Sequence, residues 1–213
     1  MIEGCVLVKD LELLINGWQF ISVDAKGKSG GLLLGWKSRK ILFQNTWAMT
    51  SGLCVVLHSF ELQKELSFVN LYGPYLDREV FWNNLIKMEC FLSPFLVFGV
   101  DLNFSLGLSE IWGVKARVDV LTNFFNNLLD SLGLVDINPL VSIPTWSNQR
   151  VGSESICKRL DRLLASADFL DCDFLLKQWI GCGGDSNHQT IYLQISSSIP
   201  KAHCLFKFNA YWL

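Results

Sequence analysis

Five short apolar runs, at residues 31–36, 53–58, 66–71, 95–100 and 191–195, have the length and the bounding turn residues of β-strands. Between them lie two patterns of helical period. Val118, Leu121, Phe124, Phe125, Leu128, Leu129 and Leu132 recur at spacings of three and four, and Gly133 follows where a left-handed turn would end the helix. Upstream, Asp77 is placed to cap a helix that turns Val80, Phe81, Leu85, Met88 and Leu92 to the core. Short strands alternating with covering helices predict a layered α/β or α+β domain. The five prolines fall at element boundaries, and no repeat or low-complexity tract interrupts the pattern. One domain over residues 1–213 is therefore expected.

Composition narrows the function classes. Half of the residues are hydrophobic and 18% are charged, which excludes intrinsic disorder as the main state. Mean hydropathy is high at +0.30, yet runs such as residues 90–100 end far short of the ~20 apolar residues of a membrane helix, so no membrane span is expected. A net charge of −2 gives no global basic field, and any nucleic-acid contact must come from a local patch. Seven scattered cysteines without paired metal-ligand spacing read as reduced thiols of an intracellular protein. Glu3 and Asp10 stand where an export signal would carry basic residues and an apolar stretch, so no export is implied.

Four segments could carry chemistry. The strand ending in Gly99-Val-Asp-Leu-Asn103 presents Asp101 and Asn103 on one side. A carboxylate and an amide side by side can hold a water, a metal or a phosphate, or simply cap a solvated loop. In Lys158-Arg-Leu-Asp-Arg162, alternation places Arg159, Asp161 and Leu163 on one face and Leu160, Arg162 and Leu164 on the other. This is the local basic patch, with a surface salt bridge as the plainer reading. Gly183-Gly-Asp-Ser-Asn-His188 delivers an imidazole to a strand start, and Tyr72 ends the run Asn70-Leu-Tyr-Gly-Pro74 at a turn. Taken singly, His188 reads first as a surface histidine, and the plainer reading of Tyr72 is an ordinary half-buried tyrosine.

In this order, the segments resemble the endonuclease/exonuclease/phosphatase superfamily, and within it the endonuclease domain of plant LINE-type retrotransposon reverse transcriptase polyproteins. Gly27-Lys-Ser-Gly-Gly-Leu-Leu-Leu-Gly-Trp36, Phe81-Trp82, Pro144-Thr-Trp-Ser-Asn148, Phe206-Lys-Phe208 and Tyr211-Trp212-Leu213 extend the similarity along the chain. The resemblance implies a four-layered α/β/β/α sandwich with two packed mixed β-sheets and a Mg²⁺-dependent site, with Mn²⁺ as the alternative ion, that hydrolyses phosphodiester bonds in DNA. Asp101 would then orient or deprotonate the attacking water, and Asn103 would position water or phosphate. Tyr72 would donate to a phosphoryl oxygen. Asp161 would lie by the metal and the catalytic groups, and His188 would stabilise the pentacovalent transition state. Thr145, Trp146, Ser147 and Asn148 would contact DNA, and Arg159 and Arg162 would attract its phosphates.

Three departures modify these expectations. Asn187 stands where the family has an aspartate before the histidine, which predicts a loss of activity, by analogy with the ~10⁴-fold cost of an Asp-to-Asn exchange at another enzyme's histidine. The family's opening strand, with its catalytic asparagine, precedes the point where this chain begins. Its absence predicts unpaired backbone groups, an exposed apolar face and marginal stability or aggregation. Glu3 matches the family's principal metal ligand in spacing, with Glu12 a weaker candidate. The expected function is a retroelement-derived endonuclease-like domain with weakened or lost activity. An inactive DNA-binding remnant and a phosphatase or phosphodiesterase of the same superfamily are the alternatives. A DNA substrate implies nuclear residence, and no protein partner is inferable.

Overall fold

The structure is a computed structural model that describes residues 4–25, 31–49, 51–114, 116–172 and 174–197. Helix α1 (Gly4–Leu14) leads into strands β1 (Trp18–Val23), β2 (Leu32–Lys37), β3 (Ile41–Met49), β4 (Gly52–Ser59) and β5 (Lys64–Tyr72). Helix α2 (Arg78–Leu85) precedes β6 (Leu96–Asp101) and β7 (Ile111–Trp112). Helix α3 (Thr122–Ser131) is followed by β8 (Leu134–Asp136), β9 (Trp146–Ser147), β10 (Cys157–Lys158) and β11 (Asp161–Ser166). A short α4 (Ala167–Leu170) and the hairpin β12 (Phe174–Ile180) and β13 (Ile191–Ser197) complete the described chain. Among the described residues no helix is long and apolar enough to cross a membrane.

The central sheet has the order β3-β4-β5-β6-β11-β8 and is mixed, with β5 and β6 parallel and the other neighbours antiparallel. One face is covered by α2 and α3. Thr122, Phe125, Leu128 and Leu129 are the buried stripe of α3, and Gly133 ends it at φ +59 as its position predicts. Trp82 of α2 meets Phe125 and Phe98 edge to face, with ring centroids 4.9 and 6.4 Å away.

The helix expected after Asp77 differs in detail. It ends at Leu85 and gives way to a 3₁₀ turn at Glu89–Leu92, so Leu92 is exposed, as is Val80. Asp77 sits in the left-handed region at φ 49 and its side chain makes no cap bond.

The other face of the sheet is covered by β1–β2 and β12–β13, which among the described residues form no strand ladder beyond their own hairpins, a single parallel bridge tying Gln178 of β12 to Pro139. This second layer is thus two antiparallel hairpins where one mixed sheet was expected, because no strand joins them among the described residues. With α1 packed on β1, the arrangement is the α/β/β/α sandwich. A cavity of about 560 Å³ lies between the layers, reaching from Leu32 and Leu34 to Leu193 and Ile195, with Asp101 and Asp161 in its wall.

Candidate active site

Strand pairing builds the site. Asp101 is the register partner of Tyr72 on one side and of Asp161 on the other. Three polar side chains therefore lie abreast on adjacent strands where β5 and β6 end and β11 begins. The chain past β6 turns sharply. Asn103 takes a left-handed conformation at φ 60, tolerable for asparagine, and its backbone N–H donates to Oδ1 of Asp101 at 2.9 Å. Its side-chain amide donates to the carbonyl of Gly73 at 2.5 Å, while the N–H of Gly73 donates to the carbonyl of Asp101 at 2.7 Å. Only glycine fits there, since a Cβ on Gly73 would lie 2.8 Å from the carbonyl oxygens of Asp101 and Leu102. Beside it, the Tyr72 and Tyr75 hydroxyls are 3.4 Å apart. That hydrogen bond, with partial burial, pushes Tyr75 up to about 12.

His188 arrives from the hairpin side, in the loop before β13. Its Nδ1 is 2.9 Å from Oδ2 of Asp161, with the imidazole 31% exposed and the carboxylate 18%. The hydrogen bond to Asp161 raises the His188 pKa above the ordinary imidazole value, against partial desolvation. Burial and then the Asp161 charge push Asp101 up to about 6, partly opposed by the Asn103 N–H and by His188. One ligand atom each from Asp101, Asp161 and His188 lies within 4.8 Å of the others, a spacing that could hold a metal ion.

Other expected site residues have different surroundings. Thr145 is fully buried and cannot reach DNA. Trp146 bridges to His188 as an isolated antiparallel pair. Ser147 donates its N–H to the carbonyl of Asn187 at 3.0 Å, so Asn187 meets this strip through its backbone. Asn148 closes its own loop, its Oδ1 accepting from Ile156 N–H at 3.1 Å and its Nδ2 donating to Glu154 O at 2.8 Å. Glu3 lies outside the described residues, as do residues 206–208 and 211–213.

Arg159 and Arg162 form no phosphate-facing patch. They are 3% and 0% exposed, enclosed in a cage with Glu110 and Asp136. Arg159 spans Asp136 with two contacts of 2.8 Å and reaches Glu110 at 3.0 Å, and Arg162 pairs with both acids. Alternation put the two arginines on opposite faces, but β10 ends at Lys158 and β11 begins at Asp161. The break in strand geometry at residues 159–160 turns both inward. Glu110 and Asp136 were not singled out from sequence. Their signal was indirect, since two arginines within an apolar run require buried acids somewhere in the chain.

No protein-family model matches the chain, and no curated protein does. Solved structures do match it. The endonuclease domain of TRAS1, a telomere-specific non-LTR retrotransposon, superposes with a TM-score of 0.65 at 18% identity, covering 88% of this chain and 83% of that one. The AP endonuclease LMAP from Leishmania major gives 0.64 at 13% identity, over 89% and 73%. D. rerio TDP2, complexed with a single-strand DNA product, gives 0.56 at 11% identity, over 90% and 82%. The fold is that of the endonuclease/exonuclease/phosphatase superfamily. At these identities the likeness to endonuclease/exonuclease/phosphatase structures concerns the fold, and the chemistry rests on the residues described above.

Proposed function

We propose that this chain is a retroelement-type endonuclease that hydrolyses phosphodiester bonds of DNA with a divalent cation, Mg²⁺ or Mn²⁺. The observation that carries this reading is the Asp161–His188 pair set beside Asp101. Carboxylate oxygens are the hard donors such ions prefer, and two adjacent carboxylates with Asp101 already raised to about 6 are a pair that a cation would relieve. Asp101 and Asp161 would hold the ion, leaving the imidazole free to act as a donor. When bound, the ion would polarise a phosphoryl oxygen and acidify the attacking water.

The residues supply the rest. With the ion bound, Asp101 would be held as the carboxylate, and beside Asp161 it would orient the attacking water. Asp161 occupies Nδ1 of His188, which leaves Nε2–H to donate to a phosphoryl oxygen as negative charge accumulates there. The Tyr72 phenol, abreast of Asp101, is a second donor. Asn103 holds the Gly73 turn against the end of β6, fixing both strand ends. Asp161 also gives His188 the acidic neighbour that Asn187 does not provide, which favours retained chemistry. The DNA-bound TDP2 complex and the retrotransposon endonuclease domain among the structural neighbours support the substrate class.

The test is nicking of supercoiled plasmid by the purified chain with Mg²⁺ or with EDTA, beside His188→Ala. Nicking that needs Mg²⁺ and disappears in the variant is the expected result. A folded chain that leaves the plasmid intact under all divalent ions would overturn the reading.

A further inference from the structure

Thr145 is completely buried, and its hydrogen bonds converge on the two halves of the site. Its Oγ1 accepts the backbone N–H groups of Leu160 at 2.9 Å and Asp161 at 3.0 Å. These amides lie at the break between β10 and β11, where Leu160 is outside both strands. The backbone of Thr145 reaches further. Its N–H donates to the carbonyl of Lys158 at 2.9 Å, and its carbonyl accepts the N–H of Gln189, the residue after His188, at 2.6 Å. The following bond, from Ser147 N–H to the carbonyl of Asn187, fastens the residue before His188. One short strip thus fixes the chain on both sides of the imidazole and the start of the strand that carries its carboxylate.

We infer that Thr145 is a positioning residue whose hydroxyl sets the Asp161 carboxylate against Nδ1 of His188, a role that rests on the phosphodiesterase reading above. The hydroxyl is required for its acceptor capacity. Valine fills nearly the same volume but leaves two buried N–H groups without a partner, whereas serine keeps the acceptor. The backbone bonds to Lys158 and Gln189 survive either change, so the strip itself remains in place.

The experiment compares Thr145→Val and Thr145→Ser in the full chain, with Ser166→Ala as the control. Ser166 offers the same chemistry at the far end of β11, accepting the N–H of Leu96 at 3.3 Å and donating to the carbonyl of Pro94 at 2.6 Å. Three quantities are read: kcat and KM for plasmid or oligonucleotide cleavage, amide hydrogen exchange, and the ring ¹⁵N shifts of His188. Thr145→Val is expected to lower kcat about 10²-fold, the cost of a small misplacement of catalytic groups, with KM nearly unchanged. Exchange should quicken at Leu160 and Asp161 selectively, and the His188 ring signals should move. Thr145→Ser should restore all three, and Ser166→Ala should lose stability while keeping kcat. Uniformly faster exchange with unmoved ring signals would assign Thr145 a purely structural role and overturn the inference. If the parent chain cleaves nothing, the functional reading fails, and the exchange pattern and ring signals still decide the position of Asp161 and His188.

Discussion

Strand β4 of the central sheet buries seven of its eight residues, whereas β12 buries one of seven and β13 none. The contrast follows from what lies on either side. Cys54 faces the core under α2 and α3, while Leu53, Val55 and Leu57 face the β1–β2 hairpin, so β4 is covered twice. The β12–β13 hairpin lends Phe174, Leu176, Leu193 and Ile195 to one core cluster and turns Leu175, Trp179 and Tyr192 to solvent. The candidate site straddles the two regions. Tyr72, Asp101 and Asp161 are placed by ladder register, but His188 is placed by a loop. The carboxylates thus inherit the rigidity of the sheet, and the imidazole depends on a few hydrogen bonds across to it.

The largest expected effect tests that division of labour. His188→Ala should reduce plasmid nicking about 10³-fold, the scale of removing one transition-state donor, while the denaturation midpoint scarcely moves because the ring is partly exposed. Unimpaired nicking would mean that the chemistry does not draw on the hairpin side. Next in size is a packing comparison. Leu53→Ala should cost about 3 kcal/mol in urea unfolding, against about 1 kcal/mol for the partly buried Leu193→Ala. Equal losses would show that the two regions pack alike.

Acidity sharpens the comparison from the sheet side. With Asp101 raised to about 6, cleavage should fall as the pH drops through about 6, and added Mg²⁺ should move that limb lower by favouring the carboxylate. Stability carries the opposite sign. The folded state holds the Asp101 proton more tightly than the unfolded chain, so this group's contribution is full at low pH and is lost as the pH rises through about 6. Asp101→Asn should remove that slope in pH-dependent unfolding. The smallest effect concerns Asn187. Because Asp161 already meets Nδ1, Asn187→Asp should change the rate by less than about tenfold, one unit of ~1.4 kcal/mol. A much larger gain would show that the Asp161 contact does not serve the histidine.

Much of the sheet was legible in sequence because its buried strands are continuous apolar runs. β4, β5, β6 and β13 fall within two residues of the runs that predict them. β3 was not legible, since Gln44, Asn45 and Thr46 interrupt it at a bulge between Phe43 and Asn45. Helix α1 was also missed, and it leaves Leu13 and Leu14 exposed, so its apolar residues trace no single buried stripe. In the site, Asp101, Asn103, Asp161 and His188 were each visible as polar residues at element ends. Their assembly was not, because Asp161 and His188 are 27 residues apart and meet only through tertiary pairing. The fate of Arg159 and Arg162 was hidden for the same reason, as their acids lie 23 to 52 positions away.

The Arg159–Arg162–Glu110–Asp136 cage bears on how DNA affinity would respond to ionic strength. Each phosphate neutralised by a protein cation releases counterions and adds ~0.9 to the slope of log K against log salt for duplex DNA. The two arginines already have their counterions inside the protein, as carboxylates. They add nothing to that slope, so binding by this chain should depend on salt more weakly than its Lys158-Arg-Leu-Asp-Arg162 motif suggests.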